Sequence, residues 1–129
     1  ASQVAPGNEN ALKLRVYGTK GGIEWEQENP NILYYTPYGK PKQMLTRGGA
    51  GSGEEAGRVS RTPPGHPEGY LEGFANIYSE AAAALKAART GQIPDKEVHF
   101  PTVNDGVIGV RFITACVASG KADAAWTEL

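Results

Sequence analysis

Leu12-Lys13-Leu14-Arg15-Val16-Tyr17-Gly18-Thr19-Lys20-Gly21-Gly22-Ile23-Glu24-Trp25-Glu26-Gln27 is two alternating runs joined by a glycine-rich turn. Leu12, Leu14 and Val16 alternate with Lys13, Arg15 and Tyr17, the two-residue period of a strand with one apolar face. Ile23 and Trp25 alternate in the same way with Glu24 and Glu26. Between them, Gly18 to Gly22 supplies residues that tolerate positive φ, which marks a hairpin. Working outward, Asn29-Pro30-Asn31 is turn chemistry and Ile32-Leu33-Tyr34-Tyr35-Thr36 is a third run. Pro37 to Pro41 breaks it, and Lys42 to Thr46 returns as a fourth strand. Ser2 to Ala5 is expected to add another. Connections this short predict an antiparallel meander.

Downstream the pattern changes. Gly48-Gly49-Ala50-Gly51-Ser52-Gly53 and Thr62-Pro63-Pro64-Gly65-His66-Pro67 bracket a long loop without periodicity. An ordered loop of that length is commonly functional or packed on a neighbour. From Glu68 to Arg89, the residues Leu71, Phe74, Ala75, Tyr78, Ala82 and Leu85 follow the helical period, with Gly91 just past the end. Thr102-Val103-Asn104-Asp105 reads as an N-cap with a carboxylate at N3, which predicts a second helix to about Ser119. Its buried stripe is expected at Val103, Val107, Val110 and Val117. Ala124 to Leu129 is expected as a last short strand. Strands followed by helices predict an α+β domain: a predominantly antiparallel sheet with helices packed on one face.

Composition narrows the function. In 129 residues, 13 Lys+Arg face 14 Asp+Glu, a net charge of −1. That balance excludes a broad electrostatic footprint for nucleic acid or anionic lipid. No apolar run approaches the roughly 20 residues that span a bilayer, and no signal-peptide pattern opens the sequence, so a cytoplasmic protein without a membrane partner is expected. The single Cys excludes an internal disulfide framework and a Cys-based zinc cluster. Seventeen glycines and nine prolines amount to a fifth of the chain, against an average of about 12%, which favours a turn-rich domain over a helical bundle. A start at Ala1 points to a chain processed or cut from something longer.

Few residues have the spacing of a reactive site. Gly51-Ser52-Gly53-Glu54-Glu55-Ala56 matches the glycine pattern of dinucleotide sites in form alone. A working fingerprint needs a strand–turn–helix unit aimed at the pyrophosphate, and here two Glu stand where phosphate would approach. Cys116 lies mid-helix among Ile113, Ala115, Val117 and Ala118, where a Cys behaves as a small apolar side chain rather than a nucleophile served by His66 or His99. Those two His have no ligand spacing, so no metal site is expected. His66-Pro67-Glu68-Gly69-Tyr70 differs in kind. It leads the long loop into a helix, bringing an imidazole, a phenol and free backbone N–H groups near one helix N-terminus. A purely structural account also fits it, with Glu68 favouring the helix dipole and Tyr70 packing. Trp25, Tyr34 and Tyr35 on a sheet covered on one side point to a partner surface.

Three stretches together resemble the C-terminal domain of the glucose-fructose oxidoreductase / inositol dehydrogenase family of NAD(P)-dependent oxidoreductases. They are Arg15-Val16-Tyr17-Gly18-Thr19-Lys20-Gly21-Gly22-Ile23-Glu24-Trp25, Gly65-His66-Pro67-Glu68-Gly69-Tyr70-Leu71-Glu72-Gly73-Phe74, and Pro101-Thr102-Val103-Asn104-Asp105-Gly106. The resemblance implies that residues 1–129 are a partial C-terminal, substrate and oligomerisation domain, without the Rossmann domain that precedes it in the family. It implies a sheet whose open face pairs subunits into a homo-oligomer, and a parent enzyme that moves hydride between NAD or NADP and a sugar, polyol or derivative. The family's Glu-Lys-Pro lysine and its Asp-x-x-x-His pair have no counterpart here. No catalytic, cofactor-binding or metal residue is therefore expected in this chain, which alone should be inactive and bind no cofactor. Tyr70 resembles a family tyrosine bordering the substrate pocket, and His66 lies on the loop entering the same helix. Both are expected to bind substrate. The alternative is a non-catalytic oligomerisation or binding module.

Overall fold

A computed structural model describes residues 2–129. The chain divides into two compact units, Ala1–Asn76 and Ile77–Leu129. In the first, β1 (Lys13–Gly18), β2 (Gly21–Glu26), β3 (Ile32–Pro37) and β4 (Gln43–Thr46) form one antiparallel sheet in the order β1-β2-β3-β4. Helices α1 (Glu54–Val59), α2 (Tyr70–Arg89) and α3 (Val103–Lys121) complete an α+β chain.

Register explains the alternation. Leu14 stands opposite Trp25, Trp25 opposite Leu33, and Leu33 opposite Leu45, while Val16, Ile23 and Tyr35 line up one pleat further on the same face. The other face carries Lys13, Arg15, Glu24, Glu26, Tyr34 and Met44. There Lys13 meets Glu26 at 2.8 Å and Lys42 meets Glu24 at 2.9 Å. Hydrogen bonding to those carboxylates holds both ammonium groups above their ordinary pKa. Lys42 also sits 5.2 Å from the centre of the Tyr34 ring. Trp25 and Tyr35 therefore share the apolar face, and Tyr34 lies on the charged one. Alternation along Ile32–Thr36 leaves open which of the two adjacent tyrosines faces outward, and the register places them on opposite faces.

The turn motif has a steric logic. A Cβ at Gly21 would lie 2.6 Å from the Thr36 carbonyl oxygen, and one at Gly22 would lie 2.6 Å from Cδ1 of Tyr17. Only hydrogen fits where β2 passes that close to β3 and where the Tyr17 ring crosses the hairpin. At the far side of the sheet, the Gly48–Gly53 segment folds over Leu45, whose Cδ2 would lie 3.2 Å from a Cβ at Gly51.

Three expectations are corrected. Ser2–Ala5 forms no strand; the Asn8 N–H closes a turn onto the Ala5 carbonyl around Pro6 and Gly7. The long loop contains the six-residue helix α1. Ala124–Leu129 is not a strand either. Asp123 and Ala124 take positive φ, and the Ala124 N–H returns to the Ser119 carbonyl, turning the chain back on the end of α3.

Helix positions were read well and helix faces less so. Helix α2 starts two residues later than expected, and α3 runs two residues past Ser119. In α3 the Asp105 carboxylate accepts both the N–H and the hydroxyl of Thr102 at 2.7 Å, which holds its pKa below the ordinary value. Yet the expected stripe of α3 is exposed, Val103 by 80% and Val110 by 64%. In α2 the covered line runs through Glu72, Asn76, Glu80, Ala84 and Ala87, whereas Leu71, Tyr78 and Leu85 are exposed. Asn76 is bound by the Val59 carbonyl, and Glu80 accepts the His99 N–H. The covered side thus combines two polar contacts to nearby loops with small alanines, Ala87 being its most buried residue.

Candidate functional site

The loop Thr62–Gly69 contains Pro63, Pro64 and Pro67, and each proline removes one backbone donor. Its carbonyls therefore need donors from elsewhere, and Arg47 supplies them from the end of β4. Arg47 Nη1 donates to the Thr62 carbonyl at 2.9 Å, and Nη2 to the carbonyls of Pro63 at 3.2 Å and His66 at 2.5 Å. Nη2 also reaches the Thr62 hydroxyl at 3.0 Å, which in turn donates to the His66 carbonyl. Nε donates to Asn31 Oδ1 at 2.9 Å.

Glu68 neutralises the guanidinium. Its Oε2 lies 2.6 Å from Arg47 Nη1, a contact held by charge rather than by an aligned N–H, with the two side chains only 15% and 5% exposed. Glu68 Oε1 accepts the Arg61 N–H at 2.6 Å. Asn31, in the β2–β3 turn, clasps the Glu68 backbone from both sides, donating to its carbonyl at 2.8 Å and accepting its N–H at 3.1 Å. Trp25 stiffens the same turn by donating Nε1 to the Pro30 carbonyl. The hydrogen bonds on Arg47 and on Glu68 Oε1 offset part of the cost of burying the pair, while Oε2 is held by the charge contact alone.

Helix α2 is capped by a different carboxylate from the one the sequence suggested. Glu72 Oε2 accepts the Gly69 N–H at 2.9 Å, and that bond holds the Glu72 carboxyl below its ordinary pKa. Glu68 does not serve the helix dipole; it is turned inward to Arg47.

His66 stands at the rim of a cleft of about 300 Å³ lined by Asn29, Asn31, Ile32, Thr46, Arg47, Gly65 and Pro67. Its ring is exposed, with Nδ1 3.4 Å from the Pro64 carbonyl. Tyr70 is not part of that lining. It is 70% exposed at the start of α2, and its ring leans on Phe74 with centroids 4.9 Å apart. The structure thus holds both residues on one braced segment, in separate surroundings. Sequence reasoning missed Arg47, Asn31 and the inward Glu68. The available signal was the excess of proline carbonyls without local donors.

The other candidates are dispersed. Cys116 is exposed in the middle of α3, beside Phe112 and Trp126, and neither His lines that groove. His99 lies in the connection before α3. Among the described residues no three His, Cys, Asp or Glu side chains gather as a metal site, and no helix is long and apolar enough to cross a membrane. The Gly51-Ser52-Gly53 segment opens only the short α1, with Glu54 and Glu55 in its first turn.

No protein-family profile matches the chain. An oxidoreductase from Sinorhizobium meliloti has the same fold, with a TM-score of 0.91 and 60% identity over 98% of this chain and 35% of its own. An inositol dehydrogenase homolog from Azotobacter vinelandii, solved with NADH and myo-inositol, gives a TM-score of 0.88 and 33% identity over 99% of this chain and 34% of its own. The chain is similar in sequence and fold to part of oxidoreductases that include inositol dehydrogenase homologs. The uncharacterized oxidoreductase YfiI of Bacillus subtilis (strain 168) is 32% identical over 131 residues, 98% of this chain and 33% of the relative. The chain thus spans about a third of the length of the proteins it matches, in keeping with the resemblance carried by the Tyr17–Gly22 turn and the Gly65–Phe74 segment.

Proposed function

We propose that this chain is the C-terminal, substrate-side and oligomer-forming part of an NAD(P)-dependent oxidoreductase that acts on a sugar, polyol or derivative by hydride transfer. One observation carries the reading: nearly the whole chain, 99%, aligns at a TM-score of 0.88 with a homolog of inositol dehydrogenase solved with NADH and myo-inositol. The nicotinamide cofactor is assigned to the part of the parent outside this chain, because the one glycine-patterned segment here is acidic and opens a helix of six residues. Within this chain, His66 and Tyr70 supply polar contacts to substrate hydroxyls, with an imidazole and a phenol that each donate or accept a hydrogen bond. Neither is assigned proton transfer.

The test is turnover by the full-length parent. Myo-inositol, a panel of polyols and a panel of aldoses are offered with NAD⁺ and with NADP⁺, and reduced nicotinamide is followed by absorbance. Saturable turnover of a polyol or sugar supports the assignment; none with any member of either panel and either cofactor refutes it.

A further inference from the structure

We propose that Arg47 is a positioning residue, whose guanidinium fixes His66 and the entry to α2 for substrate binding. The proposal rests on the oxidoreductase reading above, but its physical basis is separate. All three guanidinium nitrogens are engaged: Nε by Asn31, Nη1 by the Thr62 carbonyl and Glu68, and Nη2 by Thr62, Pro63 and His66. The hydrogen bonds at Nε, Nη1 and Nη2 and the ion pair with Glu68 commit the charge of Arg47 within the protein. What the fork does is gather carbonyls from a segment whose prolines deny it a ladder of its own.

The shape of the group matters as much as its charge. A guanidinium presents five donors in one plane, and here they bridge β4, the β2–β3 turn and the loop at once. A lysine ammonium has three donors at one point and cannot span those acceptors. Arg47→Lys therefore keeps the charge opposite Glu68 but releases the carbonyls of Pro63 and His66. His66 then loses its fixed place at the cleft rim, and displacements of roughly 1 Å are enough to cost about a hundredfold in a positioned site.

The experiment pairs kinetics with amide exchange in the full-length parent. With Arg47→Lys, KM for the polyol substrate is expected to rise about tenfold while kcat changes much less, the pattern of lost binding contacts. A merely structural clamp would instead lower the active fraction, and hence kcat, with KM unchanged; that result overturns the proposal. Thr62→Ala, which removes only the shared hydroxyl, is the milder variant should Arg47→Lys fail to fold, and a rise of about threefold in KM is expected of it. Amides of Gly65, His66, Gly69 and Tyr70 should exchange faster in either variant, with those of β2 and β3 unchanged. Unaltered exchange in that segment also overturns the proposal. If the wild-type parent turns over no polyol or sugar, the functional reading fails, while the exchange comparison still decides whether Arg47 fixes the segment.

Discussion

Glu68→Gln is the sharpest probe of what holds the first unit together. The substitution keeps the volume of the side chain and an oxygen for the Arg61 N–H, which now lies 2.6 Å away. It removes the negative charge 2.6 Å from Arg47 Nη1, at a place where the two side chains are 15% and 5% exposed. Removing one member of a buried pair costs about 3–5 kcal/mol when the other is stranded. Arg47 is not fully stranded, because the carbonyls of Thr62, Pro63 and His66 still surround it. The expected loss is therefore at the lower end, about 2–3 kcal/mol. For a unit of 76 residues, each kcal/mol moves Tm by about 4–8 °C, so a fall of roughly 10–20 °C is expected. Trp25 fluorescence reports the transition, in a Trp126→Phe background because Trp126 is fully exposed. Repeating the substitution in Arg47→Met isolates the pair, since Gln in place of Glu68 should then cost under about 1 kcal/mol, leaving a coupling of about 2 kcal/mol. An equal cost in both backgrounds would refute the argument that the pair, rather than Glu68 alone, is the source of stability.

Other outcomes follow from particular contacts. Gly21→Ala drives a Cβ to within 2.6 Å of a backbone carbonyl that cannot swing aside, and should cost about 1–3 kcal/mol by urea denaturation. Tyr70→Phe in the full-length parent should lower kcat/KM by the worth of one hydrogen bond, ~0.5–1.5 kcal/mol, without altering Tm; an unchanged kcat/KM returns Tyr70 to packing against Phe74. Asp105 has a folded pKa below its ordinary 3.8 because it accepts two bonds from Thr102. Its contribution is complete above that ordinary value and is lost as pH falls through the lower folded one, so the protection of the amides opening α3, measured against their intrinsic exchange rate at each pH, should fall in acid, and Asp105→Asn should remove that pH dependence. Calorimetric titration of this chain alone with NADH and NADPH should give no saturable heat at micromolar concentration, given the acidic start of α1.

How much of this was legible in the sequence depends on the range of the interaction. Strands β1 and β2 followed from alternation that each displays by itself, and their hairpin from the glycine-rich turn between them, whereas Ser2–Ala5 and Ala124–Leu129 have no such pattern and form no strand. The face assignments of Tyr34 and Tyr35 were not legible, because a run of four apolar or aromatic residues from Ile32 fits either register. Pairing with β2 settles it by placing Tyr35 opposite Ile23 and Tyr34 opposite Glu24. The helices teach the complementary lesson. Their periods were read from side-chain type, which says which face is apolar. Which face is covered depends on what lies nearby, and in α2 the covered face carries the hydrogen bonds of Asn76 and Glu80 together with Ala87. The stripe Val103, Val107, Val110 and Val117 is a true apolar face that nothing in the described chain buries, as fits a segment spanning a third of its relatives.

The candidate site was legible as a segment and opaque as a mechanism of support. His66-Pro67-Glu68-Gly69-Tyr70 stood out because an imidazole and a phenol meet a helix start. Its anchors lie far away in sequence: the Asn31 clasp on Glu68 spans 37 residues, and the Arg47 bond to the His66 carbonyl spans 19. No local pattern encodes such a pairing. Glu68 shows the consequence most plainly. Two residues before the helix, it has the position of a dipole-stabilising acid. The same carboxylate stabilises more by burial against a guanidinium, and Glu72 is left to cap the helix instead. The segment is therefore braced at Glu68 and His66 by the β2–β3 turn and the residue after β4, and at Gly69 by Glu72 of α2. A site assembled that way keeps its loop in place even though the loop, rich in proline, makes almost no ladder of its own.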